Sequence, residues 1–542
     1  MKKILAAVVV ITLISCNSET TQTKKEKSAK TALEKKISKR DLTINASNAY
    51  SDLFLDSTAM ISFFIQEKPG DSLVRRITSF YNTRNYQYAW FNSAGLTEQG
   101  RGFWNLHEYA ATYSNDSFLV NKELSKTINT LLNASSVKLS AAQKNMLQAE
   151  LTLTSHFILY TLNNVEEGFI KRKEMERFVP RFKEDPMQLA DSLLTKKHKD
   201  GKYYADVNEP YKQLKTQLQH YYDVAKAGGW PMIDASAKSL KTGAGGADII
   251  LLKKRLFLSG DMSQDTLPVY DAALTAGINN FQLRHGYAAT GQLTDAQLKD
   301  MNVPVVERVK QLLVNMGRMQ WIIHQPEGQL LMVNIPEFKL HVMEGKNKAF
   351  EMPVVVGKQG NNTVMFTGNL NQVVFSPYWN VTPDIVKEEI YPAMQRDPNY
   401  LASHNMEQTG TDGGLPVVRQ LPGPDNSLGQ VKFLFPNSFN IYFHDTPAKS
   451  LFQKDKRAFS HGCIRLAEPA KLARYLLKDQ SAWSDDKIDA AMNSGEEKYV
   501  KLQKAIPVLI TYYTAWVDAN GLLHFAEDIY GHDKDVAEKM FL

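Results

Sequence analysis

Three patterns of hydrophobic and polar positions follow one another along the chain. Over residues 46–240 apolar side chains recur at helical spacing, most clearly from Leu147 to Tyr160, which predicts a mostly helical scaffold domain. Residues 247–302 are predicted as three short helices separated by turn residues, and residues 305–325 as a linking helix. From residue 328 onwards, runs of β-branched and apolar residues between turn signals predict strands. The predicted fold class is therefore multidomain α+β.

The β-patterned region, residues 328–517, is interrupted by a segment of different character. Residues 383–430 begin with a predicted helix over Pro383–Asp397 and then become rich in Gly, Pro, Asn and Asp, which indicates an inserted cap. A further helix is predicted over Pro469–Leu477, and residues 518–542 form a C-terminal extension. The predicted strands are Leu330–Ile335, Phe338–Met343, Met352–Val356, Val373–Phe375, Val431–Phe435, Phe439–Phe443 and Ala505–Trp516.

The N-terminus has the pattern of a secretion signal. A short positive start precedes an apolar run from Ile4 to Ile14, which is too short to span a membrane as a mature helix. Cys16, directly after this run and a small residue, resembles the lipobox of bacterial lipoproteins, which implies cleavage before Cys16 and lipid attachment to its sulfur. Residues 1–16 are thus predicted as a lipoprotein signal and residues 17–45 as a flexible tether. The alternative is an ordinary signal peptide with a chance cysteine.

Composition and charge add two constraints on function. The 542 residues are 43% hydrophobic with a net charge of +6, and because charges of both signs are mixed along the chain, no nucleic-acid-binding stripe is indicated. If Cys16 carries lipid, Cys463 has no partner for a disulfide, and a leftover thiol in an exported protein is a candidate reactive group. The histidines lack HExxH spacing and the cysteines lack CxxC spacing, so we predict neither a metal nor a cofactor.

The residues around Cys463 have the composition of an acyl-transfer site. A thiol is a strong nucleophile only as its thiolate, and its free pKa of about 8.5 leaves only a few per cent ionised at neutral pH. His444, His461, Arg465 and the N-terminus of a following helix can each lower that pKa, and a histidine can also carry the proton to a leaving amine. Gly462 lacks a Cβ beside the nucleophile, and backbone N–H groups at such a turn are natural oxyanion donors.

This stretch resembles a known family. The run Ser-His-Gly-Cys-Ile-Arg from Ser460 to Arg465 matches the Ser-His-Gly-Cys-x-Arg signature of YkuD-type L,D-transpeptidases, and His444 precedes Cys463 at the distance of the family's base. The order of helical scaffold, peptidoglycan-binding module and catalytic β-domain with an inserted capping subdomain resembles the YcbB-like subgroup. The Phe-Gln-x-x-His-Gly pattern from Phe281 to Gly286 is similar to the peptidoglycan-binding module. Further segments similar to the subgroup are Val333–Pro336, Val354–Gly357, Pro377–Trp379, Val431–Phe433, Phe435–Asn437 and His444–Pro447.

The resemblance implies a role for each residue of the site. Cys463 is the implied nucleophile, and His444 is the implied general base and acid, oriented by the backbone carbonyl of Asp445. The backbone N–H groups of Gly462 and Cys463 are expected to bind the oxyanion, while Arg465 orients the motif, meets a substrate carboxylate or forms a structural salt bridge. The residues expected to shape the substrate site are Ser460, His461, Tyr378 and Trp379; a packing role stays open for the last three.

The resemblance also implies a function, a location and partners. An L,D-transpeptidase of the periplasm, anchored in the membrane through Cys16, would release D-alanine from a peptidoglycan tetrapeptide stem, form a thioester on Cys463 and pass the acyl group to a second stem as a 3→3 crosslink. Carbapenem β-lactams would be covalent inhibitors. Two alternatives stay open: a carboxypeptidase or other hydrolase with the same residues, and a non-catalytic cell-wall anchor that uses residues 247–302. The insertion at 383–430 favours transfer over hydrolysis, because a cap excludes water.

Overall fold

The protein is described here by a computed structural model that covers residues 40–113, 117–134, 137–163, 178–195, 209–321 and 328–542. The chain divides into two compact units, one of Met1–Gly100 with Phe118–Lys183 and one of Arg101–Ser117 with Glu184–Leu542. The predicted signal with Cys16 and most of the predicted tether lie outside the described residues. Within the described ranges, no helix combines the length and the apolar character needed to cross a membrane.

The N-terminal region is helical, as predicted from its periodicity. Its helices are α1 (Ser57–Glu67), α2 (Asp71–Asn82), α3 (Glu98–Tyr113), α4 (Lys122–Asn133) and α5 (Lys144–Asn163), and a short hairpin joins β1 (Phe91–Asn92) to β2 (Gly95–Leu96). The side chain of Asp56 caps α1 and that of Asn121 caps α4, because each accepts a hydrogen bond from a backbone N–H of the first turn. The predicted helix from Leu147 to Tyr160 lies within α5.

A buried carboxylate holds the first unit together. Glu150 of α5 accepts hydrogen bonds from the backbone N–H groups of Ala89 (2.6 Å) and Trp90 (3.1 Å) and from the hydroxyl of Tyr81 (2.8 Å). Glu150 itself is fully buried, and Thr154, one turn later, accepts from the indole N–H of Trp90 (2.9 Å). Because buried donors without an acceptor are costly, this carboxylate ties the segment before the hairpin to the centre of α5.

Replacement of Glu150 by glutamine is expected to lower the free energy of unfolding of the first unit by about 2–3 kcal/mol. A carboxamide has one acceptor oxygen, so its N–H₂ group would face the N–H of either Ala89 or Trp90, which then lacks an acceptor. Urea unfolding followed by tryptophan fluorescence measures the change. Glu123→Gln, at an exposed position in the first turn of α4, is the matched control. Equal midpoints for the two variants would contradict the role of Glu150.

The second unit begins with helices that include the three predicted for residues 247–302. Residues of α8, α9 and α10 share one core, to which Leu252, Phe281 and Leu298 contribute. Thr294 and Gln297 form a capping box at the start of α10, which agrees with its predicted short helix. The helices are α6 (Pro186–Leu194), α7 (Glu209–Lys226), α8 (Ala247–Leu258), α9 (Ala272–Arg284), α10 (Asp295–Met301) and α11 (Val305–Met319). That α8 to α10 bind peptidoglycan stays a prediction.

The mostly-β domain predicted from residue 328 is a closed sheet. Its strands are β3 (Gln329–Asn334), β4 (Lys339–Glu344), β5 (Asn347–Gly357), β6 (Phe366–Phe375), β10 (Val431–Leu434), β11 (Phe443–His444), β12 (Ala458–Ser460), β13 (Ile464–Leu466) and β14 (Lys498–Thr511). The strand order is β12-β5-β13-β11-β10-β6-β14-β3-β4, and pairing of β4 with β5 closes it. The interior is lined by apolar residues that alternate along the strands, such as Leu331, Val333, Val373 and Phe433.

Two helices pack against the closed sheet, and the predicted helix over Pro469–Leu477 is present with these bounds as α15. The second, α16 (Asp485–Met492), is capped by Ser484, whose side chain accepts from the N–H of Lys487. Leu472, Leu476 and Ile488 of these helices join the core of the sheet.

The predicted strand Phe439–Phe443 is wrong over most of its length, because only Phe443 continues into β11. The side chain of Asn437 donates to the carbonyl oxygens of Phe435 (2.6 Å) and Ile441 (2.7 Å). These bonds close the residues just before β11 into a compact loop. Within that loop Asn440 has a φ of 54°, the left-handed conformation that asparagine tolerates better than β-branched residues do. The loop therefore replaces the strand, and it approaches the Cys463 side of the domain.

The insertion predicted at 383–430 has a core of its own, and it also takes in the preceding residues 377–382. The predicted helix over Pro383–Asp397 is present but irregular, since a π-helical turn at Val386–Ile390 separates α12 (Pro383–Ile385) from α13 (Tyr391–Arg396). A three-stranded sheet of β7 (Trp379–Asn380), β8 (Met406–Asp412) and β9 (Leu415–Gln420), and the short helix α14 (Tyr400–Ser403), complete it. Its core consists of Val381, Val386, Ile390 and Val418. That the insertion acts as a cap stays a prediction.

The C-terminal extension is packed against the closed sheet. Residues 518–542 contribute β16 (Leu523–Phe525), which pairs with β15 (Ala515–Val517), and α17 (His532–Met540). Tyr530, between β16 and α17, belongs to the core of the sheet and stacks on Tyr512 with 5.7 Å between ring centroids. The extension is therefore part of the β-domain's packing.

Candidate active site

Cys463 lies in the tight loop between β12 and β13, and it is part-buried. Gly462, just before it, has a φ of 111°, in the region that favours glycine. A Cβ on Gly462 would meet nothing closer than the carbonyl oxygen of Asn361, at 3.8 Å. The glycine is therefore required by the backbone conformation of the loop.

His444 is brought beside this loop by a parallel strand pair. It ends β11, which pairs with β13 so that His444 lies opposite Arg465 and Phe443 opposite Ile464. The imidazole Nδ1 lies 2.5 Å from the carbonyl oxygen of Asp445, the contact that the family resemblance implies. Donation from Nδ1–H to this carbonyl leaves Nε2 as the acceptor nitrogen, which is the form that a general base needs.

The side chain of Asp445 is fixed, and this fixes the carbonyl that orients His444. One carboxylate oxygen accepts from the backbone N–H of Gln430 (2.9 Å), and the other pairs with Lys449 (2.5 Å). Gly429 makes room for this carboxylate, since a Cβ there would lie 2.3 Å from its oxygen. The backbone N–H of Asp445 also donates to the carbonyl of Val431 (2.9 Å), so hydrogen bonds fix both the main chain and the side chain of this residue.

Burial keeps both reactive groups neutral. It lowers the pKa of His444 to about 3, with the cation of Arg465 acting in the same direction and the bond to Asp445 opposing it. It raises the pKa of the Cys463 thiol to about 11, and hydrogen bonds from Tyr442 together with the charge of Arg465 offset this only in part. The sequence argument expected neighbouring cations and a helix N-terminus to lower the thiol pKa. Desolvation outweighs them here, and β13 separates Cys463 from the start of α15.

The thiol of Cys463 donates to the backbone carbonyl of Asn440, with 3.6 Å between sulfur and oxygen. No hydrogen bond joins Cys463 to His444 in the described part of the chain. The carbonyl of Asn440 belongs to a residue in the left-handed conformation, with a φ of 54°. In this state the nucleophile therefore rests against the Asn437–Asn440 loop.

Ser460 organises the loop from within. Its buried hydroxyl donates to the carbonyl of Cys463 (2.5 Å) and accepts from the N–H of Gly462 (3.2 Å). The N–H of Gly462, one of the two expected oxyanion donors, is therefore engaged with Ser460 in this state. The N–H of Cys463 has no hydrogen-bond partner among the described residues and is the donor left for an oxyanion.

His461 and Arg465 have different surroundings. The Nε2 of His461 lies 2.9 Å from the carboxylate of Glu389, in the π-helical turn of the insertion, so His461 connects the motif to the insertion. The Nε of Arg465 is buried without a hydrogen-bond partner, and no carboxylate within the described ranges lies close enough to pair with its guanidinium. The structural salt bridge left open for Arg465 by the sequence is thus absent there.

Tyr378 and Trp379 lie at the base of the insertion. Trp379 pairs with Gln420 in the small sheet and packs against the insertion's core. The ring of Tyr378 lies under the guanidinium of Arg419, 4.4 Å from its centre, and the backbone N–H of Tyr378 donates to Glu497 (3.0 Å). None of the hydrogen bonds or ring contacts of this pair within the described chain reaches the reactive groups. Their predicted role as pocket walls stays a prediction.

Sequence reasoning missed Tyr442, whose proximity lowers the pKa of the Cys463 thiol and so opposes the effect of burial. Its ring lies 5.7 Å from that of His444, measured between centroids. Alternation within the predicted strand Phe439–Phe443 would have placed Tyr442 and His444 on the face opposite the buried Phe443, although Tyr442 itself precedes β11 in the structure. Asn440 and Glu389 were also missed; no signal in the sequence places either residue beside the motif.

Comparison with known proteins places these residues in a family domain. Residues 328–488 match the family model described as the YkuD L,D-transpeptidase catalytic domain, and residues 75–218 match the model described as a scaffold domain. A Haemophilus influenzae protein named Putative L,D-transpeptidase is 32% identical over 243 residues, which are 42% of this chain and 49% of that protein. The chain thus spans about half the length of this curated relative. Residues 328–488 form a YkuD-type L,D-transpeptidase catalytic domain.

Solved structures with the same name are similar at low identity. The L,D-transpeptidase from Mycobacterium smegmatis aligns with a TM-score of 0.20 and 14% identity, covering 34% of this chain and 58% of that chain. The L,D-transpeptidase of Stackebrandtia nassauensis aligns with a TM-score of 0.22 and 15% identity, covering 52% of this chain and 96% of that chain. TM-scores of this size support no residue-by-residue comparison.

Proposed function

We propose that the YkuD-type catalytic domain makes this protein an L,D-transpeptidase that forms 3→3 crosslinks in peptidoglycan. The observation that carries the proposal is the parallel pairing of β11 with β13, which brings a correctly oriented His444 beside the loop of Cys463 in a domain of this family. The donor is a tetrapeptide stem, and the acceptor is the side-chain amine of a second stem.

The first half-reaction transfers an acyl group to sulfur. Because thiol and imidazole are both neutral at rest, the proton of Cys463 passes to Nε2 of His444 as sulfur attacks the carbonyl carbon before the terminal D-alanine. The S–C bond forms, and the carbonyl oxygen becomes an oxyanion facing the N–H of Cys463. The C–N bond then breaks, His444 returns the proton to the departing amine of D-alanine, and a thioester remains.

The second half-reaction runs the same steps with a new nucleophile. The neutral acceptor amine gives a proton to His444 as its nitrogen attacks the thioester carbonyl. The new C–N bond forms, the C–S bond breaks, and the proton returns to the sulfur of Cys463. Water in place of the amine would give hydrolysis, so the outcome depends on what the insertion admits.

Three further residues are assigned roles in substrate recognition. Arg465 is half-buried and its Nε is buried without a hydrogen-bond partner, which supports a role in binding a carboxylate of the stem peptide. His461, bonded to Glu389, connects the nucleophile's loop to the insertion, and this supports a capping role for the insertion. For Gly462 to act as an oxyanion donor, its N–H must exchange the hydroxyl of Ser460 for the substrate oxygen.

The cellular setting is part of the same proposal. Lipidation of Cys16 would anchor the protein in a membrane facing the periplasm, and α8 to α10 would bind peptidoglycan. The scaffold-domain match at residues 75–218 supports the YcbB-like order of domains. Carbapenems would acylate Cys463, because their ring carbonyl offers the thiol the same electrophile as the donor stem does.

The proposal is tested with the full chain carrying Cys16→Ser, so that lipidation cannot occur, incubated with disaccharide-tetrapeptide and analysed by mass spectrometry. The expected product is a dimer that lacks one D-alanine. Tripeptide monomer without dimer would identify a hydrolase on the same scaffold. Absence of both turnover and acyl-enzyme would identify a non-catalytic anchor.

A further inference from the structure

A buried network of hydrogen bonds contacts the Cys463 loop and has no role in the reaction steps described above. Thr363, in the loop between β5 and β6, is almost completely buried at 1% exposure. Its hydroxyl donates to the carbonyl oxygen of Gly462 (2.8 Å) and accepts from the backbone N–H of Gly357 (2.9 Å), at the end of β5. The side chain of Thr363 thus connects strand β5 of the closed sheet to Gly462, the residue before the nucleophile.

Tyr530, from the C-terminal extension, holds Thr363 in turn. Its hydroxyl accepts from the backbone N–H of Thr363 (3.2 Å) and donates to the carbonyl of Gly357 (2.6 Å). The backbone N–H of Tyr530 donates to the hydroxyl of Tyr512 (3.0 Å), which itself donates to Asp528 (2.7 Å). Tyr530 lies beyond the residues 328–488 that match the catalytic-domain model, so the extension completes this network from outside it.

The network fixes the direction of the peptide groups in the nucleophile's loop. The carbonyl of Ser460 accepts from Lys358 N–H (2.9 Å), the carbonyl of Gly462 from Thr363, and the carbonyl of Cys463 from the Ser460 hydroxyl. The Gly462 carbonyl and the Cys463 N–H belong to one planar peptide group, so holding the carbonyl also fixes the direction of the N–H. That N–H is the one left for an oxyanion. Gly462 has no Cβ to restrict its backbone, so hydrogen bonds from outside the loop help to hold its φ at 111°.

We propose that Thr363, held by Tyr530 of the C-terminal extension, is a positioning residue that aims the Gly462–Cys463 peptide group and the Cys463 thiol. Its catalytic consequence rests on the proposed transpeptidase function. Its structural consequence, a fixed environment for the thiol, does not. Misplacement of reacting groups by about an ångström can cost about a hundredfold in rate, so a tether at this position has a measurable effect.

The test compares two substitutions at one position. Thr363→Val keeps the shape of the side chain and removes the hydroxyl, whereas Thr363→Ser keeps the hydroxyl. Tyr530→Phe removes the second hydroxyl and keeps the ring stacked on Tyr512. Tyr475→Phe is the matched control, because Tyr475 is in the same domain but its hydroxyl donates to Glu344. All variants are made in the full chain with Cys16→Ser, where Cys463 is the single thiol.

Two readouts are measured, together with the melting temperature. One is kcat and KM with disaccharide-tetrapeptide; the other is the rate of Cys463 alkylation by iodoacetamide across the pH range. Thr363→Val and Tyr530→Phe are expected to lower kcat about 10- to 100-fold with KM changed less than about threefold. Both are expected to change the alkylation rate by about threefold or more. Thr363→Ser and Tyr475→Phe are expected to match the parent.

Several results would overturn the proposal. Parent-like kcat and alkylation in Thr363→Val would do so, and so would an equal loss in Thr363→Val and Thr363→Ser, because the hydroxyl would then have no special role. If Thr363→Val does not fold, Tyr530→Phe decides, and parent-like behaviour there rejects the network. If the parent itself shows no turnover, the transpeptidase proposal fails, and the alkylation rates alone decide whether Thr363 and Tyr530 position the thiol.

Discussion

Replacement of Cys463 by alanine is expected to abolish crosslinking, lowering turnover of disaccharide-tetrapeptide by at least about a thousandfold. Every bond-making step of the proposed mechanism passes through this sulfur. The hydroxyl of Ser460 cannot take its place, because it is buried and already bonded to the carbonyl of Cys463 and the N–H of Gly462. Mass analysis of the products measures the loss, and intact-protein mass should show no acyl adduct.

The informative control is Cys16→Ser, which removes the other cysteine of the chain and is expected to leave turnover unchanged. The melting temperature of Cys463→Ala should stay close to that of the parent, since the thiol's hydrogen bond to Asn440 is long at 3.6 Å and adds little. Crosslinked dimer formed by Cys463→Ala at a rate near the parent's would assign the chemistry to another group and would defeat the proposed mechanism.

The elements of the β-domain could be predicted where the apolar pattern is regular, as in the apolar run of β3, the alternation of β4 and the helical spacing of α15. The prediction was weaker where local side-chain chemistry decides the backbone. Asn437 and Asn440 bend the chain before β11, although the residues from Phe439 to Phe443 are mostly apolar. The hairpin of β8 and β9 was missed because much of β8 is exposed and polar. The two glycines at its turn, Gly413 and Gly414, are a hairpin signal that was not used.

The π-helical turn in the insertion could not be read from periodicity either. Pro392 has no N–H to donate to the preceding turn, and a local widening of the helix just before it at Val386–Ile390 accommodates that loss. A sequence shows the proline, but whether the helix ends, kinks or widens depends on what the following turn packs against. Glu389, which contacts His461, is carried on this widened turn.

The candidate site, too, could be predicted from the sequence only in part. The placement of His444 beside the loop of Cys463 was foreseeable, because the motif and the strand before it carry both residues. The protonation states were not, because a thiol pKa depends on how much water the folded chain removes, and that cannot be read from the neighbouring residue types. Thr363 and Tyr530 also could not be foreseen, since each is a single ordinary residue far from the motif in sequence.

The reaction of Cys463 with iodoacetamide is expected to accelerate about tenfold per pH unit between about pH 7 and pH 10. Burial raises the pKa of the thiol to about 11, so at pH 7 only about one molecule in ten thousand carries the thiolate. The thiolate fraction, and with it the alkylation rate, therefore keeps rising as the pH approaches the pKa from below. Intact-mass measurements on the full chain with Cys16→Ser, at a series of pH values, give the profile.

His444→Gln separates this electrostatic state from the usual alternative, a thiolate–imidazolium pair. The pKa of His444 is lowered to about 3, so its imidazole is neutral between about pH 7 and pH 10. It therefore provides no positive charge that would stabilise the thiolate. The variant should therefore keep the steep alkylation profile, while its turnover falls about a hundred- to ten-thousandfold for want of a proton carrier. An ion pair would instead give alkylation that is already flat above about pH 7, and His444→Gln would restore the slope. That result would reject the neutral resting pair and require the proton to reach His444 before the substrate binds, while leaving Cys463 as the nucleophile.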